Sequence, residues 1–492
     1  MSTDSEPKQW KTLDKDLNRI SRVEYATRYV ARPLVGVGVA FAFVALATLA
    51  AAVTFGQAQG AVFVVAAAAF GAYMALNIGA NDVANNMGPA VGARALTMGG
   101  AIVIAAICES AGALLAGGDV VSTISKGIID PAGVADGSTF TWAMMAALIA
   151  AALWINLATW IGAPVSTTHS VVGGVMGAGV AAAGATAVNW PSMAAIAASW
   201  VISPVLGGVI AAAFLAFIKT FIIYQDDKIA AARRWVPVLV GIMAGTFAAY
   251  LAIKGFKRVI AIDLLTALLI GAGSGAVAYV VTAPLIRRQS EGMENRNRSL
   301  KELFGLPLVI SAGLLSFAHG ANDVANAVGP LAAIVHAQEA GGFAGKVTIP
   351  LWVMVIGALG ISFGLVLFGP KLIRMVGSQI TKLNPMRAYC VALSAAITVI
   401  IASWLGLPVS STHIAVGGVF GVGFFREWDN ERRARKGNRY VAAKQVAPEE
   451  RRRRKLVRRS HFMTVIAAWV VTVPATALIS GLVFLALDGA FS

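Results

Sequence analysis

Two short stretches of this chain place ionisable and amide side chains where only apolar ones belong. The first is Ile78-Gly79-Ala80-Asn81-Asp82-Val83-Ala84-Asn85-Asn86, at the end of an apolar run. The second is His319-Gly320-Ala321-Asn322-Asp323-Val324-Ala325-Asn326-Ala327, and Gly-Pro follows both, at 88–89 and 329–330. A carboxylate inside hydrocarbon is costly, and such residues usually mark ion or proton pathways. In each copy one Asn precedes the Asp and another lies three residues beyond it, on the same helix face. Gly79 and Gly320 permit local unwinding. Unwound backbone with Asn and Asp oxygens would form a hard-oxygen cage, suited to Na⁺ or to a proton on the carboxylate. A polar knot between packed helices is the plainer reading, and recurrence at symmetric places favours the ion site.

A second pair of motifs offers the complementary chemistry. Pro164-Val165-Ser166-Thr167-Thr168-His169-Ser170 and Pro408-Val409-Ser410-Ser411-Thr412-His413-Ile414 each lead into a Gly-rich apolar segment. Proline marks helix boundaries. Free N–H groups at a helix N-terminus attract anions, and hydroxyls add donors without charge. Two such half-helices meeting in mid-membrane would cradle a tetrahedral oxyanion with Ser166, Thr167, Thr168, Ser410, Ser411 and Thr412. Lacking Arg, the site would bind weakly and release readily. An ordinary N-cap is the simpler alternative. His169 and His413 could donate to the anion, relay protons, or be hydrogen-bonded structural residues. Glu109 is a third carboxylate in an apolar run, with no acidic counterpart in the second half, where Gly360 and Ser362 occupy the comparable region. It suits a coupling-ion or proton role, or a structural hydrogen bond.

The elements that must carry these motifs are membrane helices. The 492 residues are 58% hydrophobic and 13% charged, with mean hydropathy +0.74. A soluble chain of this size needs more polar surface. The apolar runs are about 20 residues long, enough to cross the bilayer as helix, and have neither the length nor the alternation of barrel strands. The net charge of +16 is placed at the edges. Fourteen Lys and Arg, against five acids, lie between Arg426 and Arg459, and seven more precede the first span. That is the positive-inside bias, compatible with anionic lipid contact and not with a nucleic-acid partner. No P-loop, zinc spacing or disulfide framework is present, so no cofactor is expected beyond a coupling cation. Residues 1–32 are too polar and too long for a cleavable signal peptide.

The organisation is a duplication. Asp82 to Pro164 spans 82 residues and Asp323 to Pro408 spans 85, and a Trp-led helix, at Trp200 and Trp469, closes each half. The expected parts are an N-terminal tail (1–33), an extra span (34–56), a first repeat (57–225), central helices and linker (226–303), a second repeat (304–425), a basic insert (426–460) and a closing helix (461–492). With the N-terminus, the 287–303 linker and the insert on the cytoplasmic side, the first repeat begins outside and the second inside. The fold expected is an all-α polytopic membrane protein with two inverted-topology repeats. It has about 11–13 transmembrane segments, including two re-entrant helical hairpins. Lys254, Lys257 and Arg258 would then lie outside, against the bias.

These motifs resemble the PiT family of inorganic phosphate transporters. The resemblance rests on Gly79 to Asn85 and Gly320 to Asn326, on Lys126-Gly127-Ile128-Ile129-Asp130, on the two Pro-Val-Ser-(Thr/Ser)-Thr-His runs, and on Val376-Gly377 through Thr381-Lys382-Leu383. It covers about 60–220 and 304–486. It implies an inverted-repeat symporter that moves phosphate with Na⁺ or H⁺ through the cytoplasmic membrane, and it allows a homodimer. It implies phosphate at Ser166, Thr167, Thr168, Ser410, Ser411 and Thr412, and the coupling ion at Asn81, Asp82, Asn85, Asn322, Asp323 and Asn326 with Glu109. The extra first span, the charged tail and the basic insert depart from the family pattern. Alternatives are a permease for another oxyanion such as sulfate, an intramembrane enzyme using Ser and His, and a passive anion channel. Phosphate can donate protons at neutral pH and sulfate cannot, so retained acceptors at Asp82 and Asp323 favour phosphate.

Overall fold

The computed structural model describes residues 35–57, 60–129, 134, 137–161, 165–255, 262–339, 349–379, 383–435 and 459–491, with backbone alone at 375–379, 434–435, 459–469 and 491. The N-terminal tail, most of the basic insert, Asp130, Pro164, Lys257 and Arg258 lie outside these residues. Backbone groups in hydrocarbon must be satisfied within their own segment, and the described chain is helical almost throughout. The helices are α1 (Val35–Phe55), α2 (Ala61–Gly92), α3 (Met98–Ala116), α4 (Gly118–Lys126), α5 (Gly137–Ile161), α6 (Thr167–Ala183), α7 (Trp190–Ile218), α8 (Lys228–Lys254), α9 (Leu264–Gln289), α10 (Asn297–Leu303), α11 (Gly305–Glu339), α12 (Leu351–Gln379), α13 (Pro385–Trp404), α14 (Ser411–Arg435) and α15 (Arg459–Phe491). Eleven are long and apolar enough to span a membrane.

The expected unwinding at the Asn-Asp stretches is not found. α2 runs unbroken through Gly79 to Asn86 and α11 through Gly320 to Asn326. The glycines serve close packing instead. A Cβ on Gly79 would collide with the Ile361 carbonyl of α12, and one on Gly320 with the Glu109 carbonyl of α3. The contacts are reciprocated by Gly364 against Leu76 and by Gly112 against Phe317. Small residues of this kind let membrane helices approach backbone to backbone.

Each repeat therefore packs on the other. α2 lies along α12 and α11 along α3. The closing helices also cross over: α7 packs on α14, where Gly417 and Gly421 meet the carbonyls of Pro204 and Gly208, and α15 packs on α6, where Gly177 meets Ala477. α6 ends beside the start of α7. α14 ends beside the finish of α7, where Asp429 bonds Lys219 at 2.7 Å. With its π-helical extension Lys219–Ile223, α7 covers 34 residues, about 50 Å at 1.5 Å per residue. The hairpins α5–α6 and α13–α14 thus approach from opposite ends of the bundle, the placement that inverted repeats require.

Peripheral helices complete the bundle. α1 buries Phe43, Ala47 and Ala51 against Ala68, Ala72, Leu76 and Ile356, and leaves Phe41, Leu46 and Val53 exposed, as a span with a lipid face should. α8 and α9 meet through Gly241, Gly245, Gly271 and Gly275. Lys254, the misplaced cation of the charge count, is paired with Asp119 of α4. Its charge is met locally and says little about sidedness.

Candidate functional site

The centre of the bundle is where α2 and α11 meet the starts of α6 and α14. Asp82 accepts hydrogen bonds from Thr167 (2.9 Å) and Thr412 (3.2 Å), and Asp323 accepts one from Ser411 (3.4 Å). Asn81 donates to Thr159 at 2.9 Å, and Asn322 to Ser403 at 3.0 Å and to the Leu407 carbonyl at 3.1 Å. The Asn322 carbonyl oxygen in turn accepts the Val409 N–H at 3.1 Å. Asn85 donates to Thr412 at 2.7 Å, while Asn326 donates to Thr168 at 3.2 Å and Thr167 at 3.4 Å. All these residues are buried except Asn85, Thr159 and Leu407, which are half-buried.

The contacts form matched pairs. Asn81–Thr159 corresponds to Asn322–Ser403, Asp82–Thr167 to Asp323–Ser411, and Asn85–Thr412 to Asn326–Thr168. The first two stay within a repeat and the third crosses between repeats. Ser110 and Ser362 continue the pattern. Their hydroxyls lie 2.6 Å apart, and they approach the carbonyls of Ala358 and Ala106 respectively. His169 and His413 have ring centres 4.5 Å apart. The matched contacts are consistent with two repeats related by a pseudo-twofold axis; the bonds from Thr412 to Asp82 and from Asn326 to Thr167 have no such counterpart.

The residues expected to hold a cation and those expected to hold an anion therefore share one site. The carboxylates touch the hydroxyls directly. Ser166 and Ser410 have a local duty as well: each caps its helix, accepting the N–H of His169 at 3.2 Å and of His413 at 3.3 Å. Thr168 donates to the Val409 carbonyl at 3.0 Å, tying the two hairpin turns together. The His169 ring lies against Trp200, whose indole N–H reaches the Pro408 carbonyl at 3.0 Å. Lys126 ends α4 and does not enter this centre. On the same helix, Thr123 donates to the Gly406 carbonyl at 2.7 Å, in the turn of the second hairpin.

The imidazole and the third carboxylate have no mirror image. His319 is fully buried, with Nε2 2.9 Å from Asp323 and 3.7 Å from Asp82, and Nδ1 3.3 Å from Glu109. Asn86 donates to the same Glu109 oxygen at 2.9 Å. The matching positions of the other repeat are Ile78, Ile361 and Ala327. Sequence reasoning placed Glu109 in the site but passed over His319 and Asn86. Setting the two Asn-Asp stretches side by side would have found both, because His319 replaces Ile78 and Asn86 replaces Ala327.

The electrostatics define what this centre can do. Three carboxyl groups surround one imidazole, all at 1% exposure or less. One oxygen each of Asp82 and Asp323 and one nitrogen of His319 lie within 4.8 Å of one another. Asp323 Oδ1, Glu109 Oε2, Asn86 Oδ1 and Asn326 Oδ1 are buried without a hydrogen-bond donor among the described residues. Buried acceptors left unmatched are costly, and an uncompensated buried charge more so. Cations or protons bound to these oxygens would remove both penalties.

Comparison with known proteins agrees with the motifs. The sequence profile of the phosphate transporter family matches residues 78–480. A candidate phosphate permease of Helicobacter pylori (strain ATCC 700392 / 26695) is 45% identical, over 96% of this chain and 98% of the relative. A counterpart from Pyrococcus abyssi (strain GE5 / Orsay) is 37% identical, over 84% of this chain and 95% of the relative. A solved structure, "The sodium-dependent phosphate transporter", superposes with a TM-score of 0.78 at 34% identity, covering 87% of this chain and 99% of that one.

Proposed function

The chain belongs to the phosphate transporter family, and from that premise we propose that it is a symporter coupling inorganic phosphate to Na⁺ in the cytoplasmic membrane, working by alternating access. The observation that carries the coupling is the buried excess of carboxylates. Asp82, Asp323 and Glu109 face a single imidazole. A phosphate could not approach Thr167, Thr168, Ser411 and Thr412 beside these groups without bound positive charge. Cation and anion binding would then be mutually reinforcing, as coupling requires. The hard-oxygen donor set suits Na⁺, and the structural relative is named as sodium-dependent.

The pseudo-twofold arrangement supports alternating access. Thr168–Val409 ties the two hairpin turns together, and Asn85–Thr412 and Asn326–Thr168 tie each hairpin to the Asn-Asp helix of the other repeat, so rocking one repeat against the other would open the shared site to either side. Charge supports a cytoplasmic placement for one end of the bundle, where the linker and the start of the basic insert come together and Lys301 and Arg426 line one cavity. The enzyme alternative gains no support, since Ser166 and Ser410 meet the backbone N–H of their histidines as helix caps.

His319 favours a second reading, in which H⁺ is the coupling ion. An imidazole within reach of three carboxylates can pass or hold a proton. The deciding experiment is uptake of radiolabelled phosphate into proteoliposomes under an imposed Na⁺ gradient or an imposed pH gradient, with sulfate as competitor. Accumulation driven by Na⁺ alone supports the first reading, and accumulation driven by pH alone the second. Equilibration without accumulation in both would leave a passive channel, and equal competition by sulfate would broaden the substrate to oxyanions in general.

A further inference from the structure

Away from the central site, at the end of the bundle where α7 and α14 finish, lies a cluster of cations that takes no part in the contacts of that site. One acidic residue there is already saturated. Asp429 of α14 accepts hydrogen bonds from Lys219 at 2.7 Å, from Tyr224 at 2.6 Å and from Arg433 at 3.1 Å. Beside it is a cavity of about 260 Å³ whose polar lining is Lys219, Asn297, Lys301, Asn384, Arg387 and Arg426. Four helices contribute: α7 or its extension, α10, α13 and α14. No carboxylate lines this cavity.

Lys219 is paired with Asp429, and the other cations of the lining are held in place without an ion pair. The Asn384 side-chain carbonyl caps α13 by accepting the Arg387 N–H at 3.0 Å, and it also accepts the Arg387 guanidinium Nε at 3.2 Å. Arg387 is thereby fixed at the cavity wall. Among the described residues no carboxylate lies within ion-pair distance of Arg387, Arg426 or Lys301. Like charges around one partly enclosed space repel, and guanidinium groups with free donors are built for multidentate oxyanions. The feature is not inherited from the duplication, because the positions matching Arg387 and Arg426 in the first repeat are Ala143 and Ala182.

We propose that this cavity binds a phosphoryl group, as a second oxyanion site separate from the transport site. Its volume admits a phosphate with a substituent, and its apolar wall, Leu215, Ile223 and Met386, suits a group that is not phosphate alone. The same chemistry is offered by the headgroup of an anionic phospholipid or by a soluble phosphate such as pyrophosphate. The occupant would bridge α13 and α14, the hairpin carrying Ser410, Ser411 and Thr412, to α7 and α10. It would thereby clamp that hairpin and slow the transport cycle.

The test uses the full chain, wild type against the double variant Arg387→Gln/Arg426→Gln, with Lys301→Gln on exposed α10 as a second variant that leaves the core packing alone. One arm measures lipid retained by the protein in native mass spectrometry, from phosphatidylglycerol or from phosphatidylcholine. The other measures phosphate uptake into proteoliposomes with pyrophosphate enclosed or absent. Losing a charge-assisted contact should weaken binding about tenfold. A retained phosphatidylglycerol that the variants lose identifies the lipid as occupant. Inhibition by enclosed pyrophosphate that the variants escape identifies a soluble phosphate. If wild type retains no phosphatidylglycerol and is not inhibited by pyrophosphate, or if both variants behave as wild type in both arms, the site does not exist. Neither residue set touches the central site, so the outcome is independent of which ion drives uptake.

Discussion

The two Asn-Asp stretches are nearly identical in sequence and sit in different surroundings. Around Asp82 and Asp323 three hydroxyl and amide contacts of each repeat correspond, and Asp82 alone accepts a second hydroxyl, that of Thr412. One turn away the likeness ends. The second stretch carries His319, which faces Glu109, while the first carries Ile78 in an apolar environment with Ile361. On the proposed reading the duplicated part would supply a binding site that can be presented to either side, since both halves contribute to it. The unduplicated part supplies a charge balance on one side only. A symmetric cradle can hold an anion, but its coupling to a cation depends on where the negative charge lies. In this chain that charge is concentrated on the α3–α11 side.

The sharpest test of the shared part is to neutralise each aspartate. Asp82→Asn and Asp323→Asn should each abolish accumulation of phosphate in proteoliposomes while leaving the protein inserted. Removing one partner from a buried charge network costs about 3–5 kcal/mol, or about two to three and a half powers of ten in affinity at about 1.4 kcal/mol for each. Equal losses would show that both repeats hold coupling charge. If either variant accumulated phosphate normally, its aspartate would have no place in the ion site.

Next in size is the unduplicated part. His319→Ile makes the second stretch resemble the first and removes the imidazole between Glu109 and Asp323. Uptake should fall about tenfold, the scale of one lost charged hydrogen-bonding partner, and its dependence on the driving ion should change. The mirror substitution Ile78→His should not create a second coupling site. It would bury an imidazole with Ile361 in place of a carboxylate, at a cost of about 1–3 kcal/mol in stability. A measured gain of pH-driven uptake in Ile78→His would mean that the asymmetry is incidental.

The sequence made much of the shared part legible, and the reason is physical. Carboxylates, amides and hydroxyls stand out against an apolar background, and their recurrence at matched spacing located Asp82, Asp323, Thr168 and Thr412 without coordinates. What stayed hidden was packing. Gly79 and Gly320 suggested unwinding because glycine has few constraints, whereas the structure uses their missing Cβ to admit the backbones of α12 and α3. Nothing local distinguishes those two uses. The exchange of closing helices between halves, α7 onto α14 and α15 onto α6, was equally unreadable, because an apolar face does not name its partner. His319 was in plain view and was overlooked because its neighbours carried the pattern.

A smaller effect is expected from the hydroxyls that cross between repeats. Thr168→Ala combined with Thr412→Ala removes the bonds from Thr168 to Val409 and from Thr412 to Asp82, and leaves the Asn85 and Asn326 amides without those acceptors. Each neutral hydrogen bond contributes about 1 kcal/mol, so KM for phosphate should rise about tenfold with the driving-ion preference unchanged. Unchanged uptake kinetics would refute the hairpin turns as the anion site. Each single variant should show about half the effect on a logarithmic scale, because the two threonines occupy matching places.

The smallest prediction probes the axis itself. Ser110 and Ser362 meet hydroxyl to hydroxyl at 2.6 Å, with Ser362 3.1 Å from the Ala106 carbonyl and Ser110 3.5 Å from the Ala358 carbonyl. Interhelical hydrogen bonds within membranes contribute about 0.6 kcal/mol each. Ser110→Ala leaves Ser362 free to donate to Ala106, and Ser362→Ala leaves Ser110 only the longer contact with Ala358. Both variants should therefore lower resistance to unfolding in SDS by about 0.6 kcal/mol, with Ser362→Ala slightly the more costly. The double variant should cost little more than either single one, because the bond they share can be lost only once. Additive losses would show that the carbonyl contacts of Ala358 and Ala106, and not the shared hydroxyl bond, carry the stability of the pair.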